Sequence, residues 1–409
     1  MKIDPHRAIC ALTSVLDFVG IDEVQHGKRV AWMAESIARE LGWDDDELGF
    51  AFYAGMLHDC GVSRASEHRK LTDSLLWSGA EEHCLRGENY LIECAPLRRF
   101  APVVRWHHTP WSVLSTIDLP ERVRLHANLV FLADRIDVLQ APHLNARHVD
   151  DAILMARDHL VETVREYSGR LFAPPLVDAF VAVSRRESFW LAMDPFYLLE
   201  YLENYRLASP VSDLGSAEVL ALARLFARVV DAKSPFTHEH SVRVAKVARR
   251  LFELADGDEA EADSFEVAAL LHDIGKLRVP DEILDKPGPL DRAERAMISR
   301  HSYDTFRILN RVFPDSPIPC WASSHHENLL GTGYPFHRSA GEIDVATRVL
   351  SVADVLQALS QDRPYRGRLG SHDVGMRIEA MGDEGKLDHE IVSLSLLNLE
   401  ELYHLATVG

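Results

Sequence analysis

The stretch Leu271-His272-Asp273-Ile274-Gly275-Lys276 decides how the rest of the chain is read. An apolar run, Val267 to Leu271, leads into a His-Asp pair, and Gly275 then breaks the helix. Adjacent side chains on a helix diverge by about 100°. At the last turn, however, backbone and side chains splay, and both can grip metal. Aspartate is the useful neighbour, because its two oxygens can bridge two cations while the imidazole binds one. Lys276 lies one turn on from His272 and would face an anion bound beside the metals. A helix end with a solvated Asp and a capping His would read the same way, so the pattern gains weight only from its surroundings.

Those surroundings are a repeat. His26 is followed 32 residues later by His58-Asp59, and His240 is followed 32 residues later by His272-Asp273. His83 precedes the pair His107-His108 by 24, and His301 precedes His325-His326 by 24. Each half then carries an Ala-Asp late in an apolar helix, Ala133-Asp134 and Ala353-Asp354. HGKRVAWMAESIARELG from residue 26 also matches HSVRVAKVARRLFELADG from residue 240. The chain reads as a duplication of one helical module of about 200 residues. A lone helical histidine is more often a satisfied core or surface residue than a ligand. Two sets of H…HD…H…HH…D in matched order point to metal instead.

The composition bounds the rest. At 409 residues the chain should hold two or three domains, and 47% hydrophobic with 26% charged residues is ordinary for a folded soluble protein. A net charge of −19 repels nucleic-acid polymers but leaves room for a small anionic ligand where one pocket collects cations. Five cysteines, Cys10, Cys60, Cys84, Cys94 and Cys320, contain no CxxC pair, which suggests reduced thiols and a cytoplasmic location. There is no signal-peptide pattern and no charge-free apolar run long enough to span a membrane.

Apolar periodicity predicts helices over 6–20, 26–41, 44–57, 71–77, 83–93, 103–108, 125–140, 150–164 and 217–233, with strand signals sparse: the fold class is all-α. Ser188 to Leu207 is unusually aromatic, with Phe189, Trp190, Phe196, Tyr197, Tyr201 and Tyr205. It reads as a helical connector that packs one module on the next, and it could equally make a homodimer or an ordinary core helix. Ser209-Pro210 marks the expected boundary. The expected organisation is a first module over 1–185, a connector over 186–210 and a second module over 211–409.

The second half resembles the HD-GYP branch of the HD metal-dependent phosphohydrolases over about residues 215–385. The resemblance is carried by HSVRVAKVA at 240–248, HDIGKLRVPDEILDKPGPL at 272–290, the helix holding His301, HHENLLGTGYP at 325–335 and ADVLQALSQDRPYR at 353–366. It implies two tandem HD-domain helical bundles and hydrolysis of a cyclic dinucleotide, cyclic di-GMP or 3′,3′-cyclic GMP-AMP, to the linear dinucleotide. It implies His240, His272, Asp273, His301, His325, His326 and Asp354 as metal ligands, with Asp273 bridging. Imidazole and carboxylate together suit Fe or Mn. Two cations can hold a bridging water as hydroxide at neutral pH, to attack phosphorus in line with the departing 3′ oxygen. Asp273 and Lys276 are then the catalytic candidates. Lys276, Gly333, Tyr334, Arg363 and Arg366 are the substrate-binding ones, the arginines as planar forks for phosphate. Tyr334 would stack on a base or shape the loop, and Gly331 and Gly333 would free its backbone.

Three departures stand out. Trinuclear members of the branch have Glu four residues before the first histidine, where Phe236 stands here, so two metals are expected. Leu330 replaces the Asp of HHExxDGxGYP. The partner domain is a second HD module rather than a known sensor. That module keeps His26, His58, Asp59, His83, His107, His108 and Asp134, but has Val62 for the lysine, no GxGYP and no RPYR. It is a structural partner, a regulator that binds metal or ligand, or a hydrolase of something else. The rival reading of the whole chain is a signalling receptor that binds a cyclic nucleotide with little hydrolysis.

Overall fold

Asp44 starts the first module's central helix, because its carboxylate accepts from the Glu47 amide at 2.9 Å. The helix that follows, Asp45–Leu57, is buried from Leu48 onward on every side. It packs against His26–Glu40 and the long helix Glu121–Leu144, and Ala80–Glu93 packs against Ala101–Trp106. In the second module His240–Leu254 packs on Ala262–Leu271, Val345–Leu359 and Leu399–Thr407. Arg292–Val312 lies against Ile318–Ser323 and the 3-10 turn Ile274–Arg278. The computed structural model describes residues 3–16, 25–64, 67, 70–71, 79–144, 152–205, 214–234, 239–362 and 367–408. Among them there is no strand, only the isolated bridges Ile3–Leu214 and Ser168–Phe172.

The chain divides into two compact units. Residues 12–212 form one, and residues 213–409 with residues 1–11 form the other. Ile3 pairs with Leu214, and Ala8 and Ile9 are fully buried, so the start of the chain, read in sequence with the first module, groups with the second.

The aromatic segment read as a connector belongs to the first unit's own core. Phe189 and Trp190 are buried, and the Trp190 indole donates to the Ser184 carbonyl at 2.8 Å. Tyr205 stacks on Phe52 with centroids 4.0 Å apart, and the Tyr201 hydroxyl meets the Glu35 carboxylate. Phe196 and Tyr197 face outward. Aromatic rings bury a large area at little entropic cost, and here they do so against the helices His26–Glu40 and Asp45–Leu57. Most of the predicted helix over 71–77, and the Ser209-Pro210 boundary, lie outside the described residues. No described helix is long and apolar enough to cross a membrane, and all five cysteines are free thiols.

Candidate metal centres

In the second unit each ligand sits where a helix starts, stops or is pressed close. His240 opens its helix from Glu239, whose φ of 60° is left-handed, and Asp231 accepts from the Ser241 amide at 2.9 Å to fix that start. His272 ends the apolar helix Ala262–Leu271, and its Nδ1 donates to the Ala269 carbonyl at 2.7 Å. His301 and His325 repeat the device on Ile298 and Ala322, each at 2.6 Å. A carbonyl only accepts, so Nδ1 carries the proton and Nε2 turns a lone pair inward. Gly275 breaks the helix, and it also makes room: a Cβ there would lie 2.1 Å from the His301 carbonyl oxygen. Only glycine lets Arg292–Val312 bring His301 up to Asp273.

Asp273 holds the middle, with one oxygen facing each group of imidazoles. Its Oδ2 lies 3.4 Å from both His240 Nε2 and His272 Nε2. Its Oδ1 lies 3.4 Å from His301 Nε2 and 3.8 Å from His325 Nε2. Asp354 Oδ1 is 3.4 Å from His240 and 3.8 Å from His272, and His326 joins His301 and His325 in one donor group. Ligands about 2.1 Å from a tetrahedral ion stand about 3.4 Å apart, so these donors fit a cation and are too far apart to bond one another well. His240 Nε2, His272 Nε2 and Asp273 Oδ1 are buried with no hydrogen-bond partner, as a metal site requires.

The protonation states differ from ring to ring in the metal-free centre. Burial pushes His301 down to about 3 and His325 to about 4, and drives His326 well below its usual value. These rings are neutral donors at pH 7. Burial opposes the charge on Asp273, but His272 and Lys276 outweigh it and hold the carboxyl well below the usual range. Burial also opposes a charge on His240, yet the Asp273 and Asp354 carboxylates beside its Nε2 raise it to about 9.

The predicted substrate residues are spread more unevenly. The Lys276 ammonium sits on Asp273 Oδ2 at the half-buried edge of the centre. Tyr334 tilts over His326 with centroids 4.8 Å apart, and burial keeps its phenol protonated. Gly331 takes φ +70° and so needs glycine's freedom. Gly333 is needed for space instead, since a Cβ would meet Glu327 Cα and the His326 carbonyl at 2.5 Å. Leu330 is exposed on this loop. Arg363, Arg366 and Phe236 lie outside the described residues.

The first unit rebuilds the same arrangement. His26 follows Gln25, at φ 89°, and His58 and His107 donate to the carbonyls of Gly55 and Val104 at 2.7 and 2.6 Å. Gly61 would put a Cβ 2.0 Å from the His83 carbonyl oxygen. Asp59 Oδ1 faces His83 and His107 at 3.5 and 3.8 Å, and its Oδ2 faces His58 and His26 at 3.3 and 3.8 Å. Asp59, His83, His107 and His108 form one four-donor group. Asp134 is 3.4 Å from His26 but is bound by Arg135, with Nη2 and Nε at 2.8 and 3.1 Å.

Sequence reasoning missed the residues behind the ligands. His240 Nδ1 donates to Gln357 Oε1 at 2.5 Å, and His26 Nδ1 to Asp137 Oδ2 at 2.7 Å, with Arg29 clamping Asp137. Both partners stand three residues after the late aspartate, on the same helical face, which was the available signal. Glu327 was quoted only within a motif, yet its buried carboxylate accepts from the Phe336 and Arg338 amides at 2.7 and 3.0 Å.

Comparison with known proteins agrees with the duplication. HD domain models match residues 224–391 and 24–141. The 3′3′-cGAMP-specific phosphodiesterase 1 of Vibrio cholerae is 34% identical over 407 residues, covering 99% of this chain and 94% of that protein. A cyclic di-GMP phosphodiesterase of Thermotoga maritima is 34% identical over 188 residues, 45% of this chain and 49% of that one. The crystal structure of a V. cholerae cyclic GMP-AMP specific phosphodiesterase superposes with a TM-score of 0.65 at 24% identity, over 98% of this chain and 99% of that chain, and supports the fold. The chain therefore belongs to the HD-GYP family of HD-domain phosphodiesterases, with two HD domains in tandem.

Proposed function

We propose that the second unit hydrolyses a cyclic dinucleotide to its linear form at the Asp273 centre. The observation that carries this reading is Asp273 itself, which is buried, ionised and turns one oxygen to each group of imidazoles. The names of the relatives above support the substrate class. The relative that matches nearly the whole chain is a 3′3′-cGAMP phosphodiesterase, which favours the mixed dinucleotide over cyclic di-GMP.

The residues fit two divalent ions, Fe or Mn by donor chemistry. His240, His272 and Asp354 would hold one, His301, His325 and His326 the other, and Asp273 would join both. Bound there, such ions supply Lewis acidity and lower the pKa of water. This chain's residues do the rest. Asp273 and Asp354 keep the charge that retains the ions. Lys276 leaves Asp273 for a phosphoryl oxygen when substrate enters, its flexible stem allowing the move. Tyr334, protonated and at the edge of the centre, offers a ring face to a base and a hydroxyl to phosphate. Water adds to phosphorus as the 3′ oxygen leaves and takes up a proton, so that the ring opens to a 5′-phosphate and a 3′-hydroxyl.

The test is anaerobic purification, reconstitution with Fe(II) or Mn(II), and incubation of wild type and Asp273→Ala with 3′,3′-cyclic GMP-AMP and, separately, cyclic di-GMP. Linear dinucleotide from wild type alone is expected, with Asp273→Ala down by about 10³-fold and depleted of metal. Lys276→Ala should lower turnover and keep its metal. Unchanged substrate in wild type that holds both ions would overturn the reading in favour of a receptor.

A further inference from the structure

The first unit lacks the lysine of the second, and the loss leaves a carboxylate unbalanced. Asp273 carries the Lys276 ammonium. Asp59, its counterpart, has Val62 at the lysine position, and among the described residues no lysine or arginine pairs with it. Its contacts are imidazole nitrogens: Oδ2 faces His58 and His26 at 3.3 and 3.8 Å, and Oδ1 faces His83 and His107 at 3.5 and 3.8 Å. Oδ1 is buried with no hydrogen-bond partner. A carboxylate so placed is costly unless a cation lies against it.

The surrounding donors are set for two ions. His58 and His107 give Nδ1 to the Gly55 and Val104 carbonyls, and His26 gives Nδ1 to Asp137, so Nε2 of each is the nitrogen left for a cation. His26, His58 and Asp59 form one donor group, with Asp134 Oδ1 standing 3.4 Å from His26 Nε2 beside it. Asp59, His83, His107 and His108 form the other. These are the counterparts, position for position, of the donors around Asp273. Arg135 does not close the first group. It binds Asp134 Oδ2 and the Leu71 carbonyl, and leaves Oδ1 turned to His26. Ligating carboxylates are commonly held from behind in this way. Ligating imidazoles commonly donate their other N–H to a carboxylate, as His26 does to an Asp137 that Arg29 clamps at 2.6 and 2.9 Å.

We infer that the first unit is a second two-ion centre, so that the chain holds four divalent ions. His26, His58 and Asp134 take one ion of the pair, His83, His107 and His108 take the other, and Asp59 joins them. Imidazole with carboxylate again suits Fe or Mn. The ions supply the charge that Asp59 lacks. They also tie together His26–Glu40, Asp45–Leu57, Ala80–Glu93, Ala101–Trp106 and Glu121–Leu144, each of which carries a donor or ends beside one. Hydrolysis by the second unit is a separate matter: the readouts below are an ion count and a spectrum, which failure of turnover leaves untouched.

The test uses the full chain, stripped with a chelator, reconstituted anaerobically with Mn(II), desalted and analysed for manganese. Wild type should hold about four equivalents. Asp273→Ala should hold about two, all in a first unit that the substitution does not touch. Electron paramagnetic resonance of that variant should show the broad, exchange-coupled signal of a bridged Mn(II) pair in place of the six lines of isolated ions. Adding Asp59→Ala to it should remove the pair. Three results would each overturn the inference: one equivalent or none in Asp273→Ala, six sharp lines from its bound ions, or a coupled pair that survives Asp59→Ala. Protein without metal there would leave protonated imidazoles as the counter-charge to Asp59. The first two results need no change in the first unit, so they decide the matter if Asp59→Ala does not fold.

Discussion

The two units carry the same seven donors, and they differ in the cation set among them. In the second unit it is Lys276, on a flexible stem at the edge, paired with the carboxylate that faces both imidazole groups. In the first it is Arg135, buried and fixed on the late aspartate. A movable charge can transfer to an incoming phosphate, while a buried guanidinium tied to Asp134 Oδ2 and the Leu71 carbonyl stays behind its carboxylate. The duplication thus preserved the scaffold that brings helix ends together, while Val62 in place of the lysine, the missing GxGYP loop and the buried Arg135 set the first unit apart.

The shared scaffold gives the largest test of that comparison. Gly275 and Gly61 make the same close approach, to the His301 and His83 carbonyls, at 2.1 and 2.0 Å. Neither backbone oxygen can move without shifting its helix. Gly275→Ala and Gly61→Ala should each destabilise their own unit by about 2–4 kcal/mol in urea unfolding. Gly275→Ala should also abolish turnover, and Gly61→Ala should leave turnover in place. A cost below about 0.5 kcal/mol would mean the helices are not held this close in solution.

Much of this was readable in the sequence because it is periodic or locally paired. The apolar run before His272, the spacings of 32 and 24, and the Asp at 44 that caps its helix are all short-range signals. The centre itself followed from the order of histidines. What escaped was set by tertiary packing. Nothing local says that the rings of residues 189–205 fold onto Phe52 and Trp32 of their own unit, since an aromatic stretch packs equally well on any apolar face. Arg135 gave no signal in the sequence, because it is held by the Leu71 carbonyl, 64 residues away. The need for glycine at 333 read as flexibility and proved to be space, a distinction visible only once the Glu327 backbone stands beside it.

The residue behind the first histidine sharpens the comparison at an intermediate scale. His240 leans on a neutral amide, Gln357, where His26 leans on the Asp137 carboxylate. Gln357→Ala should weaken metal binding by the second unit by about 10–100-fold, and Gln357→Asp, which copies the first unit, should restore it. The same site carries a pH signature. Metal needs His240 Nε2 deprotonated, and in the metal-free protein Asp273 and Asp354 overcome burial to hold the proton up to about 9. Uptake must therefore expel a proton, and affinity should fall by about tenfold per pH unit below that value. The folded value lies above the unfolded 6.5, so this proton stabilises the metal-free fold below pH 6.5 and ceases to do so as pH rises through 9. Calorimetry in two buffers of different ionisation enthalpy measures the release, and its absence at pH 7 would contradict this account.

The smallest effect concerns the loop that the first unit lacks. After the paired histidines stands Glu327 in the second unit and Thr109 in the first. The Glu327 carboxylate, 4% exposed, accepts from two amides beyond the GYP turn, while the Tyr334 amide donates back to the His326 carbonyl at 3.3 Å. Together these bonds close the loop over the ligands and set the Tyr334 ring against His326. Glu327→Gln keeps one good acceptor and turns the other into a donor facing a donor, a loss of about 1–2 kcal/mol in loop closure. The ligands themselves are untouched. KM should therefore rise by about tenfold, with kcat within about threefold and metal content intact, as steady-state kinetics and metal analysis on the same preparation would show. A matched loss of metal would mean that Glu327 acts through His325 and His326, and that the loop is part of the cage rather than a grip placed above it.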